Sequence, residues 1–364
     1  MPTPHPLAER LPSLILGGAG GFSYSTHPDP LSIPAEDIVR RAFDLGMLAI
    51  DTSPYYEPSE ELLGRALAHP RVAARYSRSD YVLMTKVGRI GDQHFDYSPT
   101  WVRKSVLRSL ERLGTTYLDV VFCHDIESVT DEDTLDAVGV LLEFVQQDKI
   151  KYIGLSSYRI DILAHRANFV REKYGRPIDV VQNWGQLTIQ NSRLESEGLQ
   201  ALAKAGVTCI CTSSPLAIGL LRKGGVPIGK HGDTHPAPEA LRRASQEAAM
   251  WVESQGDTLA AVALRYTLWR AHENSTASLF IHTVTGISSV AEVNENVEAA
   301  RKLLLGDFFR PTLDKIQVKK DILLWHEIRN MLGSWVNWCF SCPPDGWSQE
   351  LKRMVRDEEN TGTT

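Results

Sequence analysis

The stretch YVLMTKVGRIGDQHFDYSPTWVRKSVLRSLERLGTTYLDVVFCH, residues 81–124, reads as one complete strand, helix and strand. Tyr81-Val82-Leu83-Met84-Thr85 is an apolar, β-prone run too short for a helix, and it ends on Lys86. Helical spacing follows from Ser98 to Leu113. Ser98 is placed to cap, Pro99 suits a first turn, Val102, Val106, Leu110 and Leu113 share a face, and Gly114 stops the pattern. Asp119-Val120-Val121-Phe122-Cys123 is the second run, and it ends on His124. Such a unit joins two parallel strands by a right-handed crossover.

The same alternation extends in both directions. Strands are expected at about residues 13–19, 48–53, 81–86, 119–125, 152–157, 179–184, 207–214 and 282–289, with helical patterns between them. Eight βα units point to an α/β fold of the closed (β/α)8 TIM-barrel type. An open doubly wound sheet for a dinucleotide would need G-x-G-x-x-G after its first strand. Gly17-Gly18-Ala19-Gly20-Gly21-Phe22 breaks that spacing, because Ser23 stands where the third glycine belongs. It reads instead as a flexible turn that lets backbone approach a ligand. Two stretches stand outside the repeat. Arg222 to Pro236 is a Gly-, Pro- and His-bearing loop before a helix containing Ala237 to Glu253. From Asp314 the chain is helical and aromatic, with Trp325, Trp335, Trp338 and Trp347, and then polar from Asp357 to Thr364. The expected organisation is a barrel over 1–310 and a helical extension over 311–364, whose tryptophans either pack it onto the barrel or wall a substrate pocket.

The bulk numbers exclude several classes. The chain has 364 residues, 43% hydrophobic and 23% charged, enough for one large core. Its formal charge of −6 and pI near 6.0 come with no basic stripe, so neither nucleic acid nor an anionic membrane is expected as a partner. No secretory leader or bilayer-length apolar run is visible, and a cytoplasmic location is expected. Five cysteines suit reduced thiols better than a disulfide framework. Cys339-Phe340-Ser341-Cys342 has the spacing of a metal or redox pair, but without a second pair or a His cluster no metal is expected.

Four residues carry the chemistry. Leu48-Ala49-Ile50 ends in Asp51-Thr52-Ser53-Pro54-Tyr55-Tyr56, so Asp51, Tyr56, Lys86 and His124 all lie at or just past the ends of three successive strands. In a parallel barrel those ends share one face. A hydride leaves an alcohol carbon only if the hydroxyl proton leaves too. A phenol is a poor base at its ordinary pKa of about 10, but a nearby ammonium lowers that value by roughly one to three units. On this reading Lys86 tunes Tyr56, Asp51 holds Lys86, and neutral His124 binds and orients the substrate oxygen. Each residue also has a structural explanation: Asp51 as a turn cap, Tyr56 as a surface turn residue, Lys86 as a rim cation, His124 as a partner of Asp125 or of backbone.

At this point the chain resembles the aldo-keto reductase superfamily. The matching text is Asp51-Thr52-Ser53-Pro54-Tyr55-Tyr56, Glu60 with Leu63-Gly64, Thr85-Lys86, Leu113 to Asp119 leading to His124, Ile153-Gly154-Leu155-Ser156-Ser157, Gln182, Ser213-Ser214-Pro215-Leu216 and Gly286-Ile287-Ser288-Ser289. The resemblance implies a (β/α)8 barrel that binds a nicotinamide dinucleotide at its carboxyl-end face, with Asp51, Tyr56, Lys86 and His124 as the catalytic set. It also implies that Ser156, Ser157 and Gln182 hold the nicotinamide carboxamide and that Ser214 to Leu216 with Leu220 follow the pyrophosphate. Ser213 stands where many members stack a tyrosine, and Glu57 where a glycine is frequent.

The adenosine end falls to Gly286, Ser288, Ser289, Glu292 and Asn296. Glu292 occupies the place where relatives using NADPH commonly carry an arginine for the 2′-phosphate. A carboxylate about 4 to 5 Å from that phosphate repels it by a few kcal/mol at an effective dielectric near 20, so NAD is expected over NADP. Ser289 and Glu292 also form an S-x-x-E capping box. Within the superfamily the Asp51–Tyr56 and Ser214–Leu221 strings resemble those of NAD-dependent sugar dehydrogenases. The expected activity is oxidation of an aldose such as D-arabinose at C1 to the lactone. An NADPH-dependent aldehyde or ketone reductase and a cofactor-binding regulatory subunit without turnover are the alternatives.

Overall fold

The computed structural model describes residues 7–91, 93–226 and 235–340. Eight parallel strands close in sequence order: β1 (Leu14–Gly17), β2 (Ala49–Asp51), β3 (Val82–Val87), β4 (Leu118–Cys123), β5 (Ile150–Ser156), β6 (Val180–Trp184), β7 (Cys209–Ser213) and β8 (Phe280–Gly286), with β8 paired back to β1. Each overlaps the run expected for it, and the fold is the (β/α)8 barrel.

Residue alternation along the strands separates two cores. Ile15, Ala49, Val82, Met84, Val120, Phe122, Val180, Cys209, Cys211 and Val284 form an inner cluster, which Leu7, Ala8 and Leu11 join from the segment before β1. Their neighbours Leu16, Ile50, Leu83, Val121, Cys123 and Ile210 belong to the larger cluster shared with the surrounding helices. Gly154 completes the inner packing, because a Cβ there would collide with the Phe122 ring. One further step of the same parity puts Gly17, Asp51, Lys86, His124, Ser156, Gln182, Ser213 and Gly286 in the layer nearest the carboxyl ends. That layer is polar or lacks a side chain at every position.

The helix expected after β3 spans Pro99–Arg112, where the Ser98 hydroxyl accepts the Trp101 N–H at 3.3 Å and Val102, Val106 and Leu110 are buried. Gly114 takes a φ of 63°, the left-handed turn that releases the chain toward β4. The helix expected around Ala237 begins after Pro238 and runs over Glu239–Ser254. Part of the loop before it lies outside the described residues.

The extension is the Lys315–Leu332 helix, started by the Asp314 carboxylate on the Ile316 and Gln317 N–H groups. Trp325 packs it onto the barrel: its ring stacks on Trp269 at 4.6 Å and its N–H donates to the Val262 carbonyl at 3.0 Å. Farther on, the Trp335 and Trp338 carbonyls accept from the Gln190 amide, and the Phe340 N–H donates to the Tyr158 hydroxyl at 3.0 Å. The chain thereby returns to the loop after β5. Trp347 and the polar stretch from Asp357 lie outside the described residues. Among the described residues no helix is long and apolar enough to cross a membrane.

Candidate active site

Strands β2, β3 and β4 bring Asp51, Lys86 and His124 side by side, each two residues past an inward apolar one. Lys86 Nζ donates to both Asp51 oxygens, at 2.9 and 2.8 Å, and to the Thr52 carbonyl at 2.9 Å. The lysine is 1% exposed, where an ammonium survives only if paired. Burial works against its charge, but Asp51 and then Tyr56 outweigh burial, and its pKa is raised. Asp51 is therefore spent on Lys86 rather than on a cap, and Lys86 is no rim cation.

Tyr56 sits on the turn Pro54–Tyr56, begun by Ser53, whose hydroxyl accepts the Tyr55 N–H at 3.1 Å. Its ring centroid lies 5.0 Å from Lys86 Nζ and 5.6 Å from the His124 ring, nearly perpendicular to it. The expected lowering of the phenol pKa needs correction. Burial raises it, Lys86 lowers it, and burial prevails, so the net displacement is upward.

His124 Nδ1 meets the Ser53 hydroxyl at 3.1 Å, while Nε2 is 3.7 Å from Asp125 Oδ2. The ring is thus held mainly by Ser53. Burial, followed by the charges of Lys86 and Arg89, keeps its pKa well below the usual histidine value, and the imidazole is neutral. Its backbone is fixed as well, by Val87 and by the Tyr97 hydroxyl, which donates to the His124 carbonyl at 2.5 Å.

From sequence Ser53 and Arg89 take no role, and Asp125 only that of a partner for His124, yet all three border this group. Arg89 Nη1 donates to Asp125 Oδ2 at 2.5 Å and Nη2 to the Tyr55 hydroxyl at 3.1 Å. Both members of the pair lie past strand ends, where no periodicity marks them. The only available signal was adjacency: Asp125 to His124, and Arg89 three residues beyond Lys86.

The positions expected to hold a cofactor continue around the same layer. Ser156 and Gln182 are register partners, both buried, and among the described residues neither the Ser156 hydroxyl nor the Gln182 amide has a hydrogen-bond partner. With no protein partner and open to the barrel mouth, the two groups fit a ligand that carries its own amide. Ser157 differs, since its hydroxyl donates to the Arg159 carbonyl at 3.1 Å and accepts the Arg159 N–H at 3.0 Å. After Ser213 at the end of β7, Ser214, Ala217 and Ile218 all take positive φ, which makes a tight turn with Pro215 buried and Leu216 partly buried. Leu220 packs its side chain into the cluster with Leu241 and Val252.

At the end of β8, beyond Gly286, Ser289 accepts the Glu292 N–H at 3.1 Å and starts the Val290–Leu303 helix, on which Asn296 is partly buried. The Glu292 carboxylate accepts from the Ser288 N–H at 2.6 Å and from the Ser288 hydroxyl at 2.9 Å. The expected box is therefore half made: the carboxylate passes Ser289 and closes on Ser288. The glycine-rich turn after β1 packs against this segment. Its glycines admit other backbone, since a Cβ on Gly20 would strike the Ile287 nitrogen and one on Gly21 the Ser288 side chain. The two turns brace each other.

The aldo/keto reductase family model matches residues 14–317. The chain belongs to the aldo/keto reductase family. It is 40% identical over 267 residues to the D-arabinose 1-dehydrogenase of Saccharomyces cerevisiae, covering 73% of this chain and 77% of that protein. To the L-galactose dehydrogenase of Arabidopsis thaliana it is 34% identical over 306 residues, covering 82% and 89%. The barrel superposes on the holo form of an aldo-keto reductase from Bacillus halodurans with a TM-score of 0.59 at 23% identity, covering 92% and 94% of the two chains. With the glycerol dehydrogenase of Gluconobacter oxydans the TM-score is 0.62 at 20% identity, covering 93% and 96%.

As an aldo/keto reductase the protein is an oxidoreductase that uses a nicotinamide cofactor. Among the described residues no group of three or more His, Cys, Asp or Glu side chains is arranged to hold a metal ion. Cys339 is buried and accepts from Arg193 Nη1 at 2.8 Å, while Cys342 lies outside the described residues.

Proposed function

We propose that this aldo/keto reductase oxidises an aldose at C1 to the aldonolactone with NAD, the sugar being D-arabinose or one of similar stereochemistry. The observation that carries the reading is the Tyr56 ring lying against the Lys86 ammonium and the neutral His124 imidazole in one layer of the barrel. NAD, when bound, would supply the ring that accepts the hydride. The proton of the sugar hydroxyl then falls to Tyr56, whose phenolate is favoured by Lys86, as Lys86 in turn is kept charged by Asp51. His124, with Nδ1 engaged by Ser53, turns Nε2 toward the substrate oxygen and orients it. Because burial raises the Tyr56 pKa, the oxidation rate climbs with pH through the alkaline range.

Ser156, Ser157 and Gln182 would hold the carboxamide, and Ser213, Ser214, Pro215, Leu216 and Leu220 would line the path of the pyrophosphate. Gly286, Ser288, Ser289, Glu292 and Asn296 would surround the adenosine. The choice of NAD is supported by the Glu292 carboxylate on Ser288, a negative charge at the end where NADP carries an extra phosphate. The sugar is supported by relatives named for two aldoses, D-arabinose and L-galactose.

An absorbance assay for NADH across pentoses, 6-deoxyhexoses and hexoses tests the reading. Turnover of an aldose is expected, and Tyr56→Phe should reduce it by about 10²- to 10⁴-fold while NAD still binds. Undiminished turnover in that variant would remove Tyr56 from the reaction.

A further inference from the structure

Beyond Lys86 and His124, strands β3 and β4 deliver a second charged pair to the same mouth. Asp125 directly follows His124 and takes the left-handed conformation, with φ 53° and ψ 56°, uncommon for any residue but glycine. The turn folds its carboxylate back beside its neighbour, Oδ2 lying 3.7 Å from His124 Nε2. Arg89 donates to that same oxygen at 2.5 Å, while its guanidinium stacks 3.9 Å from the centre of the Tyr55 ring. Asp125 is 7% exposed, yet its other oxygen, Oδ1, has no hydrogen-bond partner among the described residues. An acceptor held this firmly, still open to the mouth and without a protein donor, is placed to receive a hydrogen bond from a ligand.

We infer that Asp125, positioned by Arg89, accepts a hydrogen bond from the substrate hydroxyl on the carbon next to the reacting one, and thereby makes this a site for sugars rather than for simple alcohols and aldehydes. The inference rests on the aldose reading above. With the reacting oxygen on His124 Nε2, the adjacent carboxylate faces the neighbouring carbon of the substrate. Arg89 offsets the carboxylate charge, so the pair suits a neutral hydroxyl and not a cation. A substrate without that hydroxyl leaves Asp125 dehydrated and unpaired, which is how hydrogen-bonding sites reject analogues that lack the matching group.

The test compares the best aldose of the panel with its 2-deoxy counterpart. For D-arabinose the counterpart is 2-deoxy-D-ribose, which keeps the same C3 and C4 configuration. NADH formation by the full-length enzyme is measured with wild type, Asp125→Asn and Arg89→Lys. Asparagine tolerates the left-handed turn, so Asp125→Asn preserves the loop. The wild type is expected to prefer the full sugar, and Asp125→Asn to lower kcat/KM for it by about 10- to 100-fold, mainly through KM. The deoxy sugar should lose far less, so that the preference between the two collapses. Arg89→Lys keeps a charge but not the fork, and should weaken the same preference to a smaller extent. Equal proportional losses on both sugars would mean that the pair only braces the loop, and would overturn this inference alone. No NADH from any aldose with the wild type would overturn it together with the reading beneath it.

Discussion

Lys86 is the residue on which the proposed chemistry turns, and its charge depends chiefly on Asp51. Its pKa lies above the ordinary lysine value because Asp51 outweighs burial. The stability this contributes is fully present below pH about 10.5 and disappears only as pH rises through the still higher folded-state value. Asp51→Asn keeps the volume but leaves an uncompensated buried ammonium. Urea unfolding at pH 7 should show a loss of about 3 kcal/mol or more, as for other broken buried pairs. The same variant should slow aldose oxidation by roughly 10²-fold, since a lysine no longer aimed by Asp51 supports the Tyr56 phenolate less well. Glu292 governs a separable property. Glu292→Arg should shift the ratio of kcat/KM for NAD over NADP by tenfold or more toward NADP, because a repulsive charge becomes an attractive one. An unchanged ratio would place the adenosine ribose elsewhere.

At the scale of elements, the loop after β4 carries its own pH signature. Glu127, on the turn Ile126–Ser128, accepts the Tyr158 N–H at 2.9 Å, and its carboxyl pKa is pushed up to about 7 by burial and by Asp125, against the pull of Ser157. In the unfolded chain the same group ionises near 4.5. Between those values the folded state holds a proton that the unfolded state has lost, so this group makes stability fall as pH rises from about 4.5 to about 7 and level off beyond. Glu127→Gln removes that dependence, and its melting temperature should exceed that of wild type at pH 8 and approach it near pH 4. The elements themselves were largely legible in the sequence. Apolar runs marked the strands, and the ends of those runs placed Asp51, Lys86 and His124 on one face of a barrel. What escaped lies where no period operates: Arg89 and Asp125 meet across two loops, and the glycines after β1 let that turn pack on the turn after β8. The sign of the Tyr56 displacement escaped for another reason, as it is a balance between burial and a charge, and burial depends on the whole packed site.

For the whole molecule, the question is whether the Lys315–Leu332 helix is an appendage or part of the barrel's cooperative unit. Trp325, Ile328 and Leu332 share one cluster with Leu241 and Val252 of the Glu239–Ser254 helix and with Val262 and Tyr266 of the Leu259–Asn274 helix, both of which belong to the barrel wall. A fully buried ion pair crosses the same contact: Arg265 donates to Asp321 at 2.6 and 2.8 Å, and also to Asp257 at 2.8 Å. Asp321→Ala strands much of that guanidinium and should cost about 3 to 5 kcal/mol, whereas Arg265→Met combined with Asp321→Leu replaces the pair by apolar contact and should cost far less. Because the extension and the wall share their apolar surface, loss of the pair should lower one common transition. Tryptophan fluorescence, which reports the stacked Trp269 and Trp325 rings, should therefore fall at the same temperature as far-UV circular dichroism, both in wild type and in Asp321→Ala. Fluorescence that changes well ahead of the circular dichroism would show the helix melting off an intact barrel, and would make the extension a unit of its own.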